Sequence, residues 1–209
     1  MRLIPLPQSF YESSAEVVAP LLLGHLLIRN TLDGPCGGPI VEAEAYLTND
    51  AACHAANGET KRNRAMWGKH GCSYVYLIYG YHFCFNAVCR PAGIAEAVLI
   101  RAIEPAIGEN LMRQQRPVAN SKNLTNGPAK LCAALNIERS LDAVNICDAI
   151  TPLFIARNPS VKSFLRERGP VITTTRIGIS KAAELPLRFY LAGSPFVSRP
   201  LTGSKQFRT

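Results

Sequence analysis

The chain has 209 residues, with 23 Lys and Arg against 15 Asp and Glu, a formal balance of +8 at pH 7. That length fits one domain, and 47% hydrophobic against 18% charged residues gives ample material for a core, which excludes a globally disordered chain. The basic excess favours an anionic partner such as nucleic acid.

The longest apolar run near the start, Val17 to Leu23, is broken by Pro20 and ends at Gly24. It falls short of the roughly 20 residues a bilayer needs, so no membrane association is expected. Residues 1–7 carry one charge, two prolines and no apolar h-region, so no secretory signal is expected either, and the protein should stay inside the cell. The 7 cysteines form an odd set with no C-x-x-C, and the 4 histidines never fall in an H-x-x-x-H-like pair. Reduced, buried thiols are expected, with no metal and no cofactor.

In chain order, Ser13 followed by Glu16 reads as a capping box opening a helix that runs towards Gly24. Strands follow at Leu26–Arg29 and Ile40–Leu47, with Asp33-Gly34 in a connection longer than a tight hairpin. A polar loop covers about 48–71. Strand-like runs at Tyr74–Tyr79, Tyr81–Val88 and Ala97–Ile103 come next, and the first two, parted only by Gly80, predict a protruding hairpin. Helices are predicted over Ile107–Arg116 and Pro128–Leu135, with Asn126 able to cap the second, and strands over Val171–Ile179 and Leu187–Leu191. Strands without regular βαβ alternation predict a single α+β domain spanning 1–209, an antiparallel sheet with packed helices, with a core of about 10–198 and short flexible ends.

Period-two geometry in residues 40–47 places Val41, Ala43, Ala45 and Leu47 on one strand face and Glu42, Glu44 and Tyr46 on the other. That second face is either simply wet or a place where a carboxylate and a ring project together. Tyr74, Tyr76, Tyr79 and Tyr81 put four of the 7 tyrosines within eight positions. Ordinary packing accounts for tyrosines in strands, whereas a ring at a hairpin tip suits a wedge in a nucleic-acid stack. Lys61, Arg62, Arg64 and Lys69 form a basic loop that is either solvated or a phosphate contact.

Together these motifs resemble the alkyladenine (3-methyladenine, methylpurine) DNA glycosylase family. The carrying stretches are residues 23–24, 40–46, 62–66, 74–80, 83–86, 99–105, 127–132, 186–190 and 193–195, and the agreement runs from about residue 10 to 198. The resemblance implies a curved, partly barrel-like antiparallel sheet, from which a β-hairpin enters the DNA minor groove. By it, Glu44 looks like the general base that activates a water, with Arg101 and the main-chain carbonyl of Ile177 helping to hold that water. Tyr46, His54 and Tyr76 look like walls stacking on an extruded base, with Leu99 in the same pocket and Asn86 screening against the guanine amine. Tyr79 looks like the inserted ring, with Tyr81, Thr60, Arg62, Arg64, Met66 and Lys130 on the DNA side.

These roles make chemical sense. A flipped base offers two π-faces, and an alkylated purine carries positive charge that electron-rich rings favour. A carboxylate stabilises an oxocarbenium-like sugar and accepts a proton from water. No lysine occupies a pocket motif, so a Schiff base and lyase activity are not expected. The resemblance thus implies a monomeric, monofunctional base-excision enzyme acting on damaged purines in double-stranded DNA. Two other readings share features of it: a non-catalytic damaged-base or RNA-binding module, and a nucleoside hydrolase. A binder has no use for a buried carboxylate, and a nucleoside hydrolase has none for a ring at a hairpin tip.

Overall fold

A computed structural model describes residues 3–201 of the chain. Its elements are α1 (Ala15–Leu22), β1 (Leu26–Thr31), β2 (Gly34–Tyr46), β3 (Ser73–Ile78), β4 (His82–Cys89), β5 (Glu96–Ile103), α2 (Glu109–Gln115), α3 (Pro128–Ala134), β6 (Leu153–Ala156), α4 (Val161–Glu167), β7 (Val171–Thr174) and β8 (Arg188–Leu191). All strand pairs are antiparallel, in the order β3-β4-β5-β2-β1-β6, with β8 bridging β2 and β7. The result is the expected α+β architecture, a single curled, half-barrel sheet with helices packed on it. Among the described residues no helix is long and apolar enough to cross a membrane.

The 13-residue β2 organises the sheet. Its first half pairs with β1, and its second half lies between β5 and β8. The transfer occurs at Gly37-Gly38-Pro39, where the chain leaving β5 crosses closely enough that Gly37 exchanges hydrogen bonds with Ile107. A Cβ on Gly38 would lie 1.8 Å from the Glu104 carbonyl oxygen, so only glycine permits the crossing. Beyond it, Val41, Ala43 and Ala45 point into the main core with Val18, Leu22, Leu131 and Leu135, and the opposite face is turned towards the site.

Several local expectations are corrected. The β1–β2 connection is a tight two-residue turn, with Thr31 paired to Gly34, rather than a longer loop, because β2 begins six residues early through Pro35 and Pro39. No side-chain capping box opens α1. Ser14 is its N-cap and makes no side-chain bond, and the Ala15 N–H is instead accepted by the buried Glu96 carboxylate at 2.9 Å. Gly127, not Asn126, caps α3, with Pro128 at its first turn. The strand expected over 171–179 stops at Thr174. Of the ends expected to be flexible, residues 1–2 and 202–209 lie outside the described residues, while Ile4 and Leu6 hydrogen-bond to the edge of β6 and are fixed.

Gly38→Ala is expected to cost about 2 kcal/mol or more, because its Cβ meets backbone that cannot yield without parting β2 from the crossing segment. Urea unfolding midpoints of the two proteins check this, and unchanged midpoints would show the crossing to be loose.

Candidate active site

The β2–β5 ladder slips on both sides of Glu42, leaving Val41 and Arg101 as the extra residues of two opposed bulges. Bulges re-aim side chains, and this pair lies where Arg101 reaches two glutamates at once. The Glu42 and Glu44 face is not wet: both carboxylates have 0% relative exposure. Arg101 donates through Nε to Glu42 Oε1 (2.9 Å) and through Nη1 to Glu44 Oε2 (3.1 Å). Arg188 donates to Glu42 Oε1 (2.7 Å). Two buried anions therefore face two buried cations, which offsets charges that would be prohibitive alone. Burial would push the Glu42 carboxyl up, but Arg101, Arg188 and the Ser198 N–H outweigh it and hold it below the usual range.

Glu44 has two further donors. The Tyr46 hydroxyl reaches Oε2 at 3.0 Å, and the Ile177 N–H reaches Oε1 at 2.8 Å. Ile177 thus meets Glu44 through its amide N–H, a contact separate from the water-holding role that the resemblance gives its carbonyl. It is possible because the chain leaves the sheet after Thr174 and turns inward. Burial and the Glu44 charge both raise the Tyr46 hydroxyl's pKa, which keeps it a donor.

Tyr46, Arg101 and Ile177 also line a cavity of about 430 Å³, with Glu44 directly behind them. His54, Tyr76, Asn86 and Leu99 line the same cavity, so the structure brings together all the expected pocket residues. Two details differ from a simple sandwich. His54 and Tyr76 touch edge to face at 4.4 Å between centroids, which admits no ring between them, so they form one corner facing Tyr46. Tyr74, stacked on Tyr76 at 5.2 Å, bonds His54 Nδ1 through its hydroxyl at 2.9 Å and fixes the imidazole. Asn86 uses its Nδ2 on the Tyr74 carbonyl at 3.0 Å, which sets the orientation of its amide.

The β3–β4 hairpin projects beside the cavity. Tyr79 and Tyr81 are 82% and 72% exposed, and Tyr79 also lines the cavity rim. Tyr79 and Gly80 both take positive φ (50° and 80°), a tight turn that forces the two rings outwards. The strands are parted by three residues, not by Gly80 alone. The remaining expected DNA-side residues are dispersed in role. Arg62 lies over Tyr76 at 5.7 Å and donates to the Leu77 carbonyl at 3.1 Å. Arg64 pairs with Glu59 on the surface at 3.0 Å. Thr60 closes the turn before Asn63. Lys130 reaches Asn126 at 2.8 Å. Met66 is only 2% exposed and packs in the cluster behind the cavity, so it is wall rather than outward surface.

The residues sequence reasoning missed are Asp50 and Arg176. Arg176 grips Asp50 with both Nη atoms, stacks over the Tyr46 ring at 4.7 Å, and precedes Ile177. It thereby braces one wall and one Glu44 donor together. The partners are 126 residues apart, and no local pattern marks them.

This arrangement defines a class of protein: one with a cavity walled by aromatic side chains and a buried, multiply bonded carboxylate behind it. Comparison with known proteins sharpens the class. The pattern of the methylpurine-DNA glycosylase family matches residues 9–195. Similar proteins come from Methanoculleus marisnigri (46% identical over 93% of this chain and 98% of that one) and Nitrosospira multiformis (43% over 93% and 94%). Another, from Francisella tularensis, is 42% identical over 87% and 92%. All three carry the provisional name 3-methyladenine DNA glycosylase. The chain belongs to the methylpurine-DNA glycosylase family and is a DNA glycosylase, a hydrolase of DNA repair.

The half-buried His25 and the more exposed His54, partly desolvated by their neighbours, make a pH prediction. Burial first, then Arg157 for His25 and Arg62 for His54, lowers both pKa values from the ordinary 6.5. The unfolded chain then binds more protons below that value, so stability is full above it and declines as pH falls through it towards the depressed folded values. Melting temperatures measured from about pH 8 to pH 5.5 should fall in that window, and His54→Gln should flatten the decline. A flat profile in the parent would contradict the neutral imidazoles.

Proposed function

We propose that the protein extrudes an alkylated purine nucleotide from duplex DNA into the cavity, where Glu44 activates the water that replaces the base. The observation that carries this is the buried Glu44 carboxylate, held by Arg101, Tyr46 and Ile177, all three of which line the cavity. In the reaction, water adds its oxygen to the anomeric carbon and gives a proton to Glu44. The N-glycosidic bond breaks and its electron pair leaves with the base, which departs neutral because alkylation had made it cationic. The carboxylate also faces the positive sugar that develops in between.

The aromatic walls supply binding without sequence preference, since every purine presents a π-face. The exposed Tyr79 ring fills the gap that the extruded nucleotide leaves. No lysine lines the cavity, which supports hydrolysis without a Schiff base and hence without strand cleavage. The rival binding module leaves the buried carboxylate unexplained. The rival nucleoside hydrolase leaves the exposed tyrosines and the +8 balance unexplained.

Two substitutions test the reading. Glu44→Gln keeps the shape but cannot accept the proton, so single-turnover excision from a methylated-purine duplex should fall roughly 10²- to 10⁴-fold while lesion binding survives. Excision at the parental rate would sink the mechanism. Tyr79→Ala should slow excision of a well-paired lesion more than of a mismatched one, because the mismatch has less stacking to break. Equal losses on both duplexes would assign Tyr79 no part in extrusion.

A further inference from the structure

Glu42 shares its strand face with Glu44. It is fully buried, and its two oxygens accept from Arg101 Nε (2.9 Å), Arg188 Nε (2.7 Å), the Ser198 hydroxyl (2.9 Å) and the Ser198 N–H (2.7 Å). It is not among the residues lining the cavity. We infer that Glu42 is a positioning residue of this reaction: it pins the Arg101 guanidinium in the orientation that leaves Nη1 free to reach Glu44.

A guanidinium is a rigid, planar fork, so fixing two of its nitrogens fixes the third. Here Nε is held by Glu42 and Nη2 by the Ser198 hydroxyl at 3.3 Å, and only Nη1 is left for Glu44. Without Glu42, Arg101 could rotate about its stem and take Glu44 bidentately, occupying oxygen positions that a water needs. The bulge at Arg101 works the same way, since it removes the residue from the regular ladder and leaves its aim to its side-chain partners.

The C-terminal segment belongs to the device. Ser198 is bonded to Glu42 by both backbone and hydroxyl, and the next carbonyl, that of Arg199, accepts from Arg188 Nη2 at 2.6 Å. One buried carboxylate thus ties the strand, the arginine and the segment whose Arg199 lines the cavity into a single unit. Stability alone is a poor reason for such a cluster, because apolar residues of similar volume often serve a fold as well as buried ion pairs do.

The inference rests on Glu44 being the base, and one series separates the two ideas. Single-turnover excision, lesion-duplex binding and melting temperature are measured for Glu42→Gln, Glu42→Gln with Arg188→Gln, Ser198→Ala and Glu44→Gln. Glu42→Gln should slow excision roughly 10- to 100-fold, the scale of a misplaced catalytic group, with binding within a few-fold of the parent. The double variant restores charge balance, one anion to one cation, and should recover melting temperature but not rate, since Nε still lacks its anionic anchor. Ser198→Ala leaves every buried charge in place and so guards against a misfolded first variant. It should slow excision by about 5-fold or more, since the hydroxyl both donates to Glu42 and accepts from Arg101 Nη2.

A parental rate in Glu42→Gln, or in Ser198→Ala should Glu42→Gln fail to fold, overturns the inference. So does a double variant whose rate returns with its stability. If Glu44→Gln is slow in the same series, the proposed chemistry stands without it. If Glu44→Gln excises at the parental rate, both fall.

Discussion

The structure depends on one arginine held between two carboxylates inside a sheet. Arg101 is 6% exposed and bonded to Glu42 and Glu44 at once. Taking four charges out of water costs several kcal/mol per ion before any attraction is counted. The fold meets that cost with geometry: paired bulges, a second arginine from β8, and a backbone N–H on each carboxylate from segments far along the chain. In the proposed reaction the buried Glu44 carboxylate is the group that activates water beside a sugar turning positive. The same cluster explains why β2 is long and central, since it must bring Glu42 and Glu44 between β5 and β8.

Around this centre the pocket is built by bracing. Tyr46 donates to Glu44 and lies against Arg176, which is locked to Asp50. His54 is held by Tyr74 and packed on Tyr76. Each wall is therefore attached either to the carboxylate or to a neighbouring ring, so that a base entering the cavity as proposed meets surfaces already fixed. Preorganisation of this kind reduces the ordering cost of binding. The hairpin follows the opposite rule. Its two tip tyrosines bury little and face outwards, as the proposed wedge into a DNA stack requires.

Much of the layout could be read from local pattern. Period two put Glu44 and Tyr46 on one face of β2, and they share it. The spacing of Tyr74, Tyr76, Tyr79 and Tyr81 divided the hairpin into a packed base and an exposed tip, and the structure divides it the same way. The failures have a common cause. The start of β2 was read as loop because Pro35, Gly37, Gly38 and Pro39 have poor strand propensity, and only the crossing chain from β5 explains why they are there. The capping box does not form because Ser14 rather than Ser13 is the N-cap, and the first helical N–H, that of Ala15, goes to Glu96, 81 residues away. The short β6 and α4 went unread, four and seven residues being too few to declare a period.

What the sequence determined by itself was therefore the α+β class, the face on which the reactive groups lie, the tyrosine-tipped hairpin and, through ordered motifs, the family. Only the tertiary structure decided that Glu42 is a buried partner of Arg101 rather than a solvated neighbour, that Asp50 and Arg176 brace the pocket, and that Ile177 meets Glu44 through its N–H. The physical reason is range. Side-chain alternation is set by backbone geometry over a few residues, whereas burial and hydrogen bonding join groups 57 to 156 residues apart, and those depend on how the whole sheet closes.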